Sequence, residues 1–135
     1  MFGIVITGHG EYATGMANAV KLLTGGQDVI GINFKANESE SDLKKHLNVA
    51  VEKFNEYEHI FILCDILGGS PFKNAVTLFN NKENIHILYG INLGIAVELC
   101  MQSQLSLDFN DSNCYKFIEE IVDTGKKQIG YMESK

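Results

Sequence analysis

The feature that most constrains this chain is a regular alternation of short apolar runs with segments of helical period. Ile4 to Thr7, Asp28 to Phe34, Ile60 to Cys64 and Ile85 to Gly90 have strand length and are rich in β-branched residues. Between and after them, apolar residues recur at helical spacing. One set is Ala13, Met16, Ala17, Val20 and Leu23. A second is Leu43, Leu47, Val51 and Phe54, and others run through Phe72 to Phe79, Ala96 to Met101 and Phe117 to Val122. Strand followed by helix, repeated to the end, predicts a three-layer α/β/α domain over residues 1–135 with a mostly parallel sheet. Ser41 and Ser70 are expected to cap the second and third helices. Thr24-Gly25-Gly26 is expected to stop the first. Gln128 to Met132 is long enough for a fifth strand or a tail.

Seventeen acidic residues against eleven basic ones give a net charge of −6, which argues against a nucleic-acid or anionic-membrane surface. Cys64, Cys100 and Cys114 are odd in number and widely spaced, which suggests free thiols in a reducing compartment. No basic segment precedes the first apolar run, and no run approaches the roughly 20 residues of a membrane span. A cytoplasmic location is expected. His46, His59 and His86 show no HxxxH or HxH spacing, so they are expected to be structural or solvated, with no metal bound.

The chemistry concentrates where two strands end. His9 follows the first strand between Gly8 and Gly10, and Asp65 follows the third. Sheets of this class usually begin in the order 2-1-3, which brings the carboxyl ends of the first and third strands together at the ligand-binding crevice. A hydrogen bond from one ring nitrogen of His9 to Asp65 would fix the tautomer and leave the other nitrogen as a nucleophile. Gly68-Gly69-Ser70-Pro71 then opens a helix with exposed backbone N–H groups, a site suited to phosphate. A nucleophilic histidine facing an anion-binding turn points to phosphoryl transfer through a phosphohistidine.

These residues carry a resemblance. The strand ending in Gly8-His9-Gly10, with Gly15-Met16 and Gly25-Gly26 after it, resembles the enzyme IIA component of the mannose-class phosphoenolpyruvate-dependent sugar phosphotransferase system. So does Cys64-Asp65-Ile66-Leu67-Gly68-Gly69-Ser70-Pro71-Phe72-Lys73-Asn74-Ala75, the more specific block, and so does Gly90-Ile91-Asn92-Leu93 with Glu98 in the helix after it. The resemblance implies strand order 2-1-3-4, with a fifth, antiparallel strand at Gln128 to Met132 exchanged in a homodimer. It implies a IIA domain in which His9 takes a phosphoryl group from HPr and gives it to enzyme IIB; relatives can continue into IIB, and a free-standing IIA is expected here. The membrane components IIC and IID are reached indirectly. Asp65 would orient the imidazole, and Gly68, Gly69 and Ser70 would bind the phosphoryl oxygens. No cofactor is implied beyond the covalent phosphoryl group. The ring nitrogen used and the sugar served stay open.

Gly8 departs from relatives that often place serine or threonine there, which leaves Thr7, Ser70 or backbone amides to supply a polar contact. Histidine phosphatases also place His-Gly after a first strand, but they resemble Leu-Arg-His-Gly, and here Gly8 stands where the arginine would clamp phosphate. A regulatory or dihydroxyacetone-kinase-associated IIA-like module is the remaining alternative.

Overall fold

A computed structural model describes residues 1–105 and 109–134. Strands β1 (Gly3–His9), β2 (Val29–Phe34), β3 (Ile60–Cys64) and β4 (Ile85–Leu88) form one parallel sheet in the order β2-β1-β3-β4. The helices are α1 (Tyr12–Thr24), α2 (Glu40–Glu52), α3 (Ser70–Phe79), α4 (Leu93–Leu105) and α5 (Cys114–Lys126). The two-residue period of the strands divides the core into two layers. Ile4, Ile6, Phe61 and Leu63 pack with α1, α4 and α5 on one face. Val5, Ile60, Ile62 and Cys64 pack with α2 and α3 on the other. Helices on both faces explain why β1 and β3 are buried along nearly their whole length, whereas the edge strand β2 is only half-buried beyond Val29.

Three sequence expectations shift. Helix α2 is capped by Ser39, not Ser41: its hydroxyl accepts from the Asp42 N–H, and the Asp42 carboxylate accepts from the Ser39 N–H. The reciprocal pair satisfies two backbone donors at once, which a cap at Ser41 would not do. Ser39→Ala should therefore cost about 1 kcal/mol of stability, measured by urea unfolding; a change within error would sink the assignment. Helix α3 begins at Ser70, with Gly69 in the cap position and no side-chain cap. The extended backbone of Gly69 (φ −75°, ψ 167°) makes the bend one residue earlier than the serine suggested. Residues 128–134 form no strand in the single chain, and Lys135 lies outside the described residues. A strand needs a neighbour for its backbone groups, and this segment does not pair with β4, one of the two edges of the sheet.

The histidines divide between the two environments expected of them, solvated and structural. His46 is half-exposed beside Glu38, as a solvated histidine should be. His59 and His86 are buried, and their rings meet with Nδ1 of one 2.9 Å from Nε2 of the other. Cys114, at the start of α5, joins them. The three cysteines are free and buried. Burial, and secondarily Asp65, pushes the Cys64 thiol up to about 12, so it is not a nucleophile at neutral pH.

Candidate functional site

Two parallel crossovers place His9 and Asp65 side by side at the carboxyl end of the sheet. β1 and β3 are paired, with Thr7 opposite Cys64, so the residues after them leave the sheet together. His9 Nδ1 stands 2.7 Å from Asp65 Oδ2, and the same oxygen accepts the His9 backbone N–H at 2.8 Å. Asp65 Oδ1 accepts the Ile66 N–H at 2.9 Å. One carboxylate therefore fixes both the backbone and the ring of His9. The carboxylate is an acceptor, so Nδ1 carries the proton and Nε2 holds the free lone pair. The imidazole is 47% exposed against 11% for the carboxylate, which puts the reactive nitrogen at the surface and its support beneath it.

The α3 turn meets the other edge of the ring. A methyl group added at Gly69 would lie 2.7 Å from His9 Cε1 and 3.4 Å from Nε2, so only hydrogen allows this approach. Gly68 has φ +82°, a conformation that L side chains rarely adopt. The first intrahelical bond runs from the Lys73 N–H to the Gly69 carbonyl. Upstream of it, the Ser70 and Phe72 N–H groups are among the donors a helix start leaves without intrahelical partners, and Pro71 removes a donor that would need none. Asn74 holds this turn in place, donating to the Ser70 carbonyl at 2.8 Å and to Glu40 of α2 at 3.2 Å. The helix start thus combines backbone donors and a positive dipole end, and it meets the Nε2 edge of the ring at Gly69, which suits an anion carried on that nitrogen.

Three residues of the neighbourhood were given no role by the sequence. Tyr12, three positions past His9, packs over Gly8, and a methyl group there would meet its ring at 2.4 Å. The tyrosine ring fills the space a side chain at position 8 would need. Its hydroxyl donates to the Ile91 carbonyl, tying α1 to the loop after β4. Burial, then Asp65, pushes its phenol up to about 12, which keeps it neutral beside the carboxylate. Ile66 and Leu67 are 54% and 62% exposed, forming an apolar rim between Asp65 and the glycines. Thr7 is fully buried, so it cannot supply the polar contact that Gly8 lacks. That leaves Ser70 and the backbone amides.

Fold and site together define a doubly wound α/β domain that presents an aspartate-oriented imidazole next to a helix N-terminus at the switch point of its sheet. The model of the family described as the PTS system fructose IIA component, EIIA-man, matches residues 3–113. The chain belongs to this IIA family of the sugar phosphotransferase system. It is 27% identical over 133 residues to the mannose-specific EIIAB component of Escherichia coli K12, covering 98% of this chain and 40% of that one. The chain thus spans about two-fifths of that relative's length. It is 25% identical over 109 residues to the fructose-specific EIIA component of Bacillus subtilis 168, covering 79% and 75% of the two chains. The crystal structure of phosphotransferase system component EIIA from Streptococcus agalactiae superposes with a TM-score of 0.81 at 27% identity, over 97% of each chain.

Proposed function

We propose that this protein is a phosphocarrier in which His9 Nε2 accepts a phosphoryl group from phospho-HPr and passes it to enzyme IIB. The observation that carries this reading is the 2.7 Å contact from His9 Nδ1 to Asp65, which leaves Nε2 as the free nitrogen beside the start of α3. In the accepting step the Nε2 lone pair forms a bond to phosphorus while the bond from phosphorus to the donor breaks. The proton on Nδ1 stays in place, and Asp65 offsets the positive charge that develops on the ring. The Ser70 and Phe72 amides and the Ser70 hydroxyl receive the phosphoryl oxygens. Transfer to IIB is the same displacement with the roles reversed, so no group on the protein is consumed. The half-exposed imidazole and the apolar rim of Ile66 and Leu67 suit a reaction between two protein surfaces.

The relatives are named for mannose, fructose and sorbose at 25–27% identity, and the residues around His9 form a cradle for a phosphoryl group. We therefore assign sugar choice to IIB and the membrane components. The test is incubation with phosphoenolpyruvate, enzyme I and HPr, followed by intact mass and acid treatment. One acid-labile phosphoryl group is expected; no uptake from phosphorylated HPr would overturn the reading.

The same reading includes a homodimer built by exchange of the tail. Ile129, Tyr131 and Met132 are 73%, 86% and 97% exposed, a run of large apolar side chains uncovered in one chain, and β4 offers an open edge. Deleting residues from Gln128 onward should shift sedimentation from dimer towards monomer. An unchanged profile would refute the exchange.

A further inference from the structure

The end of the sheet opposite His9 carries a second constellation. His59 immediately precedes β3, His86 lies in β4 and Cys114 opens α5, residues 27 and 28 positions apart that only the fold brings together. One potential ligand atom from each lies within 4.8 Å of the other two, and all three residues are buried. We propose that His59, His86 and Cys114 form a binding site for a divalent transition-metal ion with the preferences of zinc. The site would pin the start of α5 to β3 and β4.

Two imidazoles and a thiolate are the donor set zinc takes. Zinc bonds of about 2.1 Å to nitrogen and about 2.3 Å to sulfur, at tetrahedral angles, place N and S roughly 3.6 Å apart and the two nitrogens roughly 3.4 Å apart. Cys114 Sγ stands 3.5 Å from His86 Nε2. His59 Nδ1 and His86 Nε2, at 2.9 Å, need to part by about half an ångström, and the His59–Cys114 pair, within 4.8 Å, has to settle near roughly 3.6 Å.

A further observation concerns His59 Nε2, which is buried and has no aligned hydrogen-bond partner among the described residues. Asp111 Oδ1 is 2.8 Å from it but off the N–H axis, on a side chain that is 92% exposed and free to turn. A buried polar atom left in that condition calls for an explanation. Rotation of Asp111 into line would hold the proton on Nε2 and aim the Nδ1 lone pair at the site, as carboxylates do for metal-bound histidines. A solvent-open cavity lined by Glu58, His59, Asp111, Cys114 and Tyr115 gives an ion access and leaves room for water as a fourth ligand. On binding, the thiol proton is released to solvent and the His86 proton moves from Nε2 to Nδ1, so one proton leaves per ion.

The test is titration of the reduced full chain with Co²⁺, followed by displacement with Zn²⁺. One equivalent of Co²⁺ should give a thiolate-to-cobalt charge-transfer band with tetrahedral visible absorption, and Zn²⁺ should abolish both. Cys114→Ala, which removes one small buried atom, should lose the band and more than about 100-fold in affinity; Asp111→Asn should lose about tenfold. Because His86→Gln disturbs the core, it is judged only after circular dichroism shows it folded, and it should also fail to bind. His9→Ala should keep the band in full, which separates this site from the carrier histidine. Absence of the band in the wild type, or equal binding by Cys114→Ala, would overturn the proposal.

Discussion

His9→Ala is expected to abolish acceptance of a phosphoryl group from phospho-HPr while leaving the fold in place. Among the described residues, no other histidine can stand in for it. His59 and His86 are buried at the far end of the sheet, and His46 lies on α2 beside Glu38, away from the α3 turn. The stability cost should be within about 0.5 kcal/mol, the usual range for an exposed side chain. Asp65 loses the ring contact but still accepts the backbone N–H groups of residue 9 and Ile66. Intact mass after incubation with the donor system should show one added phosphoryl group on the wild type and none on the variant. Equal labelling of both proteins would remove His9 from the mechanism.

Asp65→Ala should slow transfer on the order of 100-fold without abolishing it, because Nε2 remains a nucleophile on a ring that is no longer held. Three N–H groups lose their acceptor together: the His9 ring, the His9 backbone and the Ile66 backbone. Single-turnover labelling rates decide this, and a wild-type rate would end the orienting role. The same contacts set a pH signature. Burial raises the Asp65 pKa, but the hydrogen bonds from His9 and Ile66 and the nearby His9 ring outweigh it, so the value falls below 3.8. A carboxylate whose folded pKa is depressed contributes stability that is fully present above its unfolded pKa. That contribution is lost as pH falls through the folded value. The stability advantage of wild type over Asp65→Asn should therefore hold at neutral pH and disappear below the ordinary carboxylate range. A difference that does not change with pH, measured by urea unfolding, would contradict this.

The site was legible in the sequence because its parts are local signals at strand ends. His9 and Asp65 each close an apolar run, and the usual strand order of such sheets sets them side by side. Gly68 and Gly69 announce a turn that side chains would obstruct. Finer positions were misread where two nearby residues compete for one role. Ser39 and Ser41 both precede α2, and only the carboxylate of Asp42 returning to the Ser39 N–H decides between them. Tyr12 carries no local signal of its place in the site, because its ring meets Gly8 only once α1 packs back on β1.

Periodicity determined the alternation of strands and helices and the layers they build, and the usual strand order of such sheets set His9 beside Asp65. These follow from a two-residue strand period, a helical period of 3.6 and the handedness of crossovers, all written along the chain. The tertiary structure decided what depends on side chains meeting across long separations. It selected Nε2 as the free nitrogen, because a single carboxylate oxygen takes both N–H groups of His9. It also gathered His59, His86 and Cys114 from β3, β4 and α5 into one buried cluster, which no spacing in the sequence records.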